Sequence, residues 1–339
     1  MENETTRKET GKMNLKALSA KLNRPLVIPL MGYPGIQLTH STIKQNEFNW
    51  GLQFWTISEL AEKYEPDGVF FMMDLAVEAN ALGLPVRFPL QESPSVEYHL
   101  VKEVSDLNQF LALDPLKDGR LMAFVETMRL MAQNLDILKG AYVTGPFTLA
   151  GLLMGANDIA MATITDENTV LKVLEFCTGT IQRYIHALED AGCDMVAILE
   201  PTAVMLSPES FWKFSGDFIS RLVENQSTLP ILHICGDSTH LIPKMIETGA
   251  KGLSLDSLVD FAKVINWLSP DVHLIGNVDP VSVMLHGTPQ TVHAAVSKLQ
   301  QEMSSHRNFV LSTGCDLAPE TPLENIEAFM QAGKNWRWK

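Results

Sequence analysis

Eight short apolar runs, each followed by a segment of helical character, recur along the chain and leave few folds open to it. The runs cover residues 25–32, 67–74, 141–146, 194–200, 230–235, 252–256, 272–279 and 308–315. They are continuous rather than alternating, as expected of parallel strands covered on both faces. The segments between them carry helix signals. Ser207-Pro208-Glu209 offers an N-cap, a first-turn proline and an early acid. Gly192 and Gly249 stand just before the next run, where a C-terminal glycine is expected. From Glu167 to Ala191 the apolar residues Val170, Val173, Leu174, Cys177, Ile181, Ile185 and Leu188 fall at three- and four-residue spacing. Eight strands alternating with helices predict a closed α/β barrel, the (β/α)8 TIM barrel, rather than an open doubly wound sheet.

No linker divides the chain, so residues 13–339 are expected to form one catalytic domain, and polar residues 1–12 a disordered tail. Residues 82–116 do not follow the repeat and read as an insertion after strand two that caps the barrel mouth. The net charge of −14 and the lack of a basic run argue against nucleic-acid binding. No apolar stretch approaches membrane-spanning length. Four cysteines in 339 residues are not a disulfide framework, which predicts a cytoplasmic, reducing home.

Active sites of such barrels lie at the C-terminal strand ends. Those ends carry Asp74, Glu200, His233, Cys235, Asp256, Asn277, Asp279 and Cys315. His233 and Cys235 are two apart on a strand and so share a face. Cys315 ends the strand that closes the barrel. A His/Cys/Cys set with an open position is the donor set of a catalytic zinc. Glu200 or Asp256 is expected to fill the fourth position at rest, or to orient His233 from behind. Cys177 and Cys193 read as core thiols. Asp74 and Asp256 also suit plain helix capping.

The chain resembles the uroporphyrinogen decarboxylase superfamily, and within it the zinc-dependent methyltransferases that methylate coenzyme M from a corrinoid protein. The resemblance rests on Pro29-Leu-Met-Gly-Tyr-Pro-Gly-Ile-Gln-Leu38, Met73-Asp-Leu-Ala-Val-Glu-Ala-Asn-Ala-Leu-Gly83, Val143-Thr-Gly-Pro-Phe147, His233-Ile-Cys-Gly-Asp237, Gly276-Asn-Val-Asp-Pro280 and Ser312-Thr-Gly-Cys315 followed by Pro319-Glu-Thr-Pro-Leu-Glu-Asn325. It implies zinc on His233, Cys235 and Cys315, with Glu200 and Asp256 in catalytic roles. It also implies substrate contacts from Tyr33, Asp74, Asn277 and Asp279. The methyl donor it implies is methylcobamide on a separate corrinoid protein, and the acceptor a small thiol such as coenzyme M. The decarboxylases proper grip porphyrin carboxylates with N-terminal arginines. Here the matching stretch, Met31-Gly-Tyr-Pro-Gly35, has none, so porphyrinogen decarboxylation is not expected. The alternatives are tetrahydrofolate or another acceptor, a metal-free decarboxylase-like lyase using Asp74, or a corrinoid- or porphyrin-binding module. For a sulfonate acceptor the sequence offers few cations near the strand ends, with Arg87 and Lys244 as candidates.

Overall fold

A computed structural model describes residues 14–338; the tail expected over residues 1–12 lies outside them. Ten strands form in chain order among the described residues. Eight build a parallel sheet: β1 (Leu26–Val27), β2 (Gly68–Phe70), β5 (Leu138–Thr144), β6 (Met195–Leu199), β7 (Leu229–Ile234), β8 (Gly252–Leu255), β9 (His273–Val278) and β10 (Phe309–Thr313). Their order is β1-β10-β9-β8-β7-β6-β5-β2. The ends meet where the Asp67 backbone N–H donates to the Val27 carbonyl at 3.0 Å. The fold is a (β/α)8 barrel, with all eight strands inside the eight apolar runs or overlapping them.

No strand pairing bridges the seam between β1 and β2 among the described residues, and a side-chain clasp reinforces it. Asp67 accepts from the Val27 backbone N–H at 2.7 Å and from both Arg24 terminal nitrogens, at 2.5 and 2.9 Å. A carboxylate that receives a planar fork and a backbone donor together is held in one geometry.

Strand ends depart from the apolar runs where a side chain substitutes for, or hides in, the ladder. β1 is short because Leu30 N–H donates to the Thr313 hydroxyl rather than to a backbone carbonyl. β5 begins three residues before its apolar run, since Lys139 is buried on the strand and its charge meets Asp194 at 3.0 Å. The helices follow their caps. Ser207 accepts from Ser210 N–H at 3.2 Å, and Gly192 and Gly249 take positive φ of 99° and 82°, a region closed to most side chains. The long helix Glu167–Ala191 buries Val170, Val173, Leu174, Cys177, Ile181 and Ile185 against the wall.

Inside the barrel, Ile28, Phe70, Tyr142, Met195, Ala197, Ile231, Ile275 and Val310 meet around a void of only about 20 Å³, with Leu15 beneath them. Residues 82–116 divide in two. Strands β3 (Val86–Arg87) and β4 (Ser95–Val96) form an antiparallel hairpin whose tip, Gln91 to Pro94, overhangs the mouth. The rest packs on the outer wall, where Phe110 lies against Phe176. No single helix among the described residues is long and apolar enough to cross a membrane.

Replacing Asp67 with alanine unclasps the seam and leaves the Arg24 charge and the Val27 N–H without partners. Urea unfolding should show a loss of about 3 kcal/mol through a lower midpoint at unchanged slope. An unchanged midpoint would show that the seam holds without the clasp.

Candidate metal centre

Strand periodicity aims three donors at one point. Ile231 and His233 both line the barrel interior, as residues two apart on β7 must. Cys235 follows on the same parity just beyond the strand end. Cys315 arrives from beyond β10, on the opposite side of the mouth. The imidazole Nε2 lies 2.9 Å from Cys235 Sγ and 3.7 Å from Cys315 Sγ, and the two sulfurs are 3.1 Å apart. That separation is far beyond a disulfide bond of about 2.05 Å, so both thiols are free. These three are the group of metal-binding side chains that converge among the described residues, with all ligand atoms within 4.8 Å of one another.

The other ring nitrogen of His233 is held as well. Nδ1 is 2.9 Å from the Ser254 hydroxyl, and the register of β7 on β8 places His233 beside Ser254. The ring therefore presents Nε2 to the thiols, the orientation that a ligating histidine needs. The sulfurs are electrostatically linked. With Cys235 as donor, the contact holds the Cys315 thiol below the ordinary thiol range, aided by His233, and the same contact together with burial pushes Cys235 above it. Two soft sulfurs and an oriented imidazole, converging without a fourth cysteine, fit a tetrahedral zinc with one open position.

The expected carboxylates lie in different places. Ala197 faces the barrel interior, so Glu200, three residues on, takes the outward parity. It is fully buried and caps the helix Pro146–Met154. Its oxygens accept from Phe147 N–H at 2.8 Å, Thr148 N–H at 2.9 Å and the Ser215 hydroxyl at 2.6 Å. A Cβ on Gly145 would meet its Oε2 at 2.1 Å, so glycine there makes room for this carboxylate. Burial raises the Glu200 pKa. Glu200 is not among the donors that meet at the thiols. Asp256 is closer to the thiols: its Oδ2 accepts from Gly236 N–H at 3.0 Å and its Oδ1 from Leu258 N–H at 3.0 Å. It fixes the turn that follows Cys235, and its charge contributes to raising the Cys235 thiol.

Asn277 donates to the carbonyls of Asp256 and Val259, at 3.0 and 2.8 Å, and so braces that same loop. Asp279 caps the segment Pro280–Leu285 through Val281 and Ser282 N–H, both at 2.8 Å. Asp74 accepts from Ala76 N–H at 2.7 Å and pairs with buried Arg120. Tyr33 donates to the Met73 carbonyl and lines the mouth cavity. That cavity, of about 490 Å³, reaches Cys315 and is bounded by Met73, Leu75, the hairpin tip, Pro280 and residues 315–320.

Four further residues matter here. Ser254 had a signal: Leu253-Ser254-Leu255-Asp256 alternates, which puts Ser254 and Asp256 on one face. Asp316 is adjacent to Cys315, and burial, followed by the Cys315 charge, pushes its carboxyl well up. Arg120 and Glu47 had none. Arg120 sits on the helix Gly119–Asn134, yet it is buried between Asp74 and Glu47, with the rings of Phe48, Phe88 and Phe124 at 4.8–5.7 Å. Burial raises Glu47 to about 8 despite the opposing pull of Arg120.

A family model described as uroporphyrinogen decarboxylase (URO-D) matches residues 56–336. A methylcobamide:CoM methyltransferase of Methanosarcina acetivorans is 29% identical over 276 residues, 78% of each chain. A uroporphyrinogen decarboxylase of a Synechococcus species is 26% identical over 317 residues, covering 89% of this chain and 88% of that one. The solved structure of a methyltransferase from Methanosarcina mazei superposes with a TM-score of 0.85 at 23% identity, over 94% of this chain and 96% of that one.

Two measurements test this centre. Purified protein should carry about one zinc per chain, and Ser254→Ala should weaken zinc binding roughly 10- to 100-fold in chelator competition. An unaltered affinity would show that Ser254 does not orient the ring. Glu47 binds a proton more tightly folded than unfolded, so its contribution to stability is complete below its ordinary pKa of 4.5 and fades as pH rises to about 8. Glu47→Gln should flatten the fall of unfolding free energy across that window. Parallel pH profiles of the two proteins would refute the assignment.

Proposed function

We propose that this chain, which belongs to the uroporphyrinogen decarboxylase family, moves a methyl group from a methylated corrinoid protein to a small thiol. The observation that carries this reading is the convergence of His233 Nε2 with the Cys235 and Cys315 sulfurs at the edge of an open cavity. A zinc ion held by these three would supply a Lewis acid that lowers the pKa of an incoming thiol.

The protein's own groups position that chemistry. Ser254 fixes the imidazole, and Asp256 fixes the turn after Cys235. Asn277 holds the loop that carries Asp256. Tyr33, Asp74, Asn277 and Asp279 we assign to shaping the walls against which the substrates bind, with Arg120 paired to Asp74. Glu200 we assign a positioning role, through the helix Pro146–Met154 that it caps. In the reaction the sulfur–methyl bond forms as the cobalt–carbon bond breaks. The thiol proton passes to solvent, and the bonding pair stays on cobalt, which leaves as cobalt(I). The corrinoid is a substrate delivered by its own protein. The reading places the enzyme in a cytoplasm, where thiols stay reduced. Coenzyme M, the acceptor named for the Methanosarcina relatives, is the first thiol to assay.

Zinc-loaded protein with free methylcob(III)alamin and a small thiol should convert the methylated cobalamin to cob(I)alamin, seen by absorbance under anoxic conditions. Cys315→Ala should abolish the conversion, and Ser254→Ala should slow it roughly 10-fold. Zinc-free protein of full activity, or a Cys315→Ala variant as fast as wild type, would overturn the reading.

A further inference from the structure

The four cysteines fall into two kinds. Cys177 and Cys193 are buried in the core, 0% and 7% exposed, while Cys235 and Cys315 are both partly exposed. The sulfurs of the second pair stand 3.1 Å apart. A disulfide bond is about 2.05 Å long, so an approach of about 1 Å separates these two free thiols from a cross-link. Both residues lie in the turns just beyond β7 and β10, so side-chain rotation can supply that approach without breaking a strand pair.

The two thiols differ in access. Cys315 lines the mouth cavity of about 490 Å³ and Cys235 does not. A small molecule in the cavity therefore meets Cys315 first, with the Cys235 sulfur in contact behind it. That is the arrangement of an attacking thiol and a resolving thiol.

A cavity that takes a small thiol as acceptor also meets the disulfide which that thiol forms on oxidation. Exchange with it runs in two steps. The Cys315 thiolate attacks one sulfur of the small disulfide, a new sulfur–sulfur bond forms as the old one breaks, and one small thiolate leaves. The Cys235 sulfur then attacks Cys315 Sγ and expels the second. The protons of the two protein thiols pass through solvent to the two leaving thiolates. The protein is oxidised by two electrons, and one small disulfide is reduced to two thiols.

The cross-link removes two of the three metal donors together. His233 alone is not a zinc site, since the catalytic set needs three protein ligands. Closing the disulfide and holding the metal therefore exclude each other. In a reducing compartment such a bond is transient, which suits a switch.

We propose that Cys235 and Cys315 form a redox switch: the disulfide of a small thiol enters the mouth cavity, Cys315 reacts first, Cys235 resolves, and the cross-link expels the zinc and silences the enzyme. This rests on the zinc centre and the small thiol of the methyl-transfer reading and adds the regulation of that site.

The test uses the full chain, zinc-loaded and zinc-free. The probe is bis(2-hydroxyethyl) disulfide, a neutral molecule that Glu92 and Glu320 at the cavity do not repel. Free cysteines are counted by alkylation in denaturant, cross-links are located by peptide mass, and released zinc is read with a chromogenic chelator. Zinc-free protein should fall from four alkylatable cysteines to two, with Cys235 joined to Cys315 and with Cys177 and Cys193 left free. Zinc-loaded protein should release about one zinc per chain in step with the same cross-link, and dithiothreitol should restore both thiols and zinc binding. Cys235→Ser should stop at a stable adduct on Cys315, and Cys315→Ala should take up no probe at Cys235. Wild-type protein that keeps four free cysteines, or that halts at an adduct on Cys315, would overturn the switch, because the sulfurs then do not close. Zinc release without the cross-link would do the same, and labelling of Cys235 in Cys315→Ala at the wild-type rate would refute the order of attack. The wild-type readouts do not depend on the folding of either variant. A cross-link that expels zinc from a protein without turnover upholds the switch and defeats the transfer reading. Turnover by a protein that never cross-links defeats the switch alone.

Discussion

Side chains on the barrel strands alternate between the axis and the helix layer, and this two-residue repeat decides which chemistry reaches the mouth. On β7, Ile231 packs in the interior and His233 must therefore follow it inward, with Cys235 above. On β8 the same repeat brings Ser254 inward, and the register sets it beside His233, so that one hydroxyl settles which ring nitrogen faces the sulfurs. On β6 the repeat works the other way. Ala197 takes the inward position, and Glu200 turns toward the helix layer. Two strand-end residues with the same apparent promise thus end in different environments through parity alone.

Most carboxylates around the mouth serve the scaffold. Glu200, Asp279 and Asp74 accept from backbone N–H groups at helix starts, and Asp256 ties the turn after β7 to the turn after β8. Such contacts satisfy donors that would otherwise be orphaned, and they concentrate negative charge at one end of the barrel. Arg120 offsets part of it from a site enclosed by aromatic rings, next to Asp74 and Glu47. Glu47, beside it, is raised to about 8 by burial, against the pull of Arg120.

The architecture was largely legible, since eight buried parallel strands leave a continuous apolar trace that few other folds produce. Legibility failed where a polar residue was hidden by its partner. Lys139 reads as a strand boundary, yet lies inside β5 because Asp194 neutralises it. No local pattern marks Arg120 as buried, because its burial depends on Phe48, Phe88 and Phe124, two of which come from distant segments. The insertion at 82–116 was recognisable as a break in the repeat, but only packing divides it into a hairpin over the mouth and a stretch along the outer wall.

By itself the sequence determined the parallel barrel, the shared face of His233 and Cys235, and the position of Cys315 at the end of the closing strand, because these follow from hydrophobic runs and a period of two. Tertiary structure alone decided that three donor atoms lie within 4.8 Å, that Ser254 holds the imidazole, and that Glu200 serves a helix rather than the thiols. Those outcomes depend on strand register and on contacts between residues far apart in the chain. No local pattern encodes a distance across a barrel mouth.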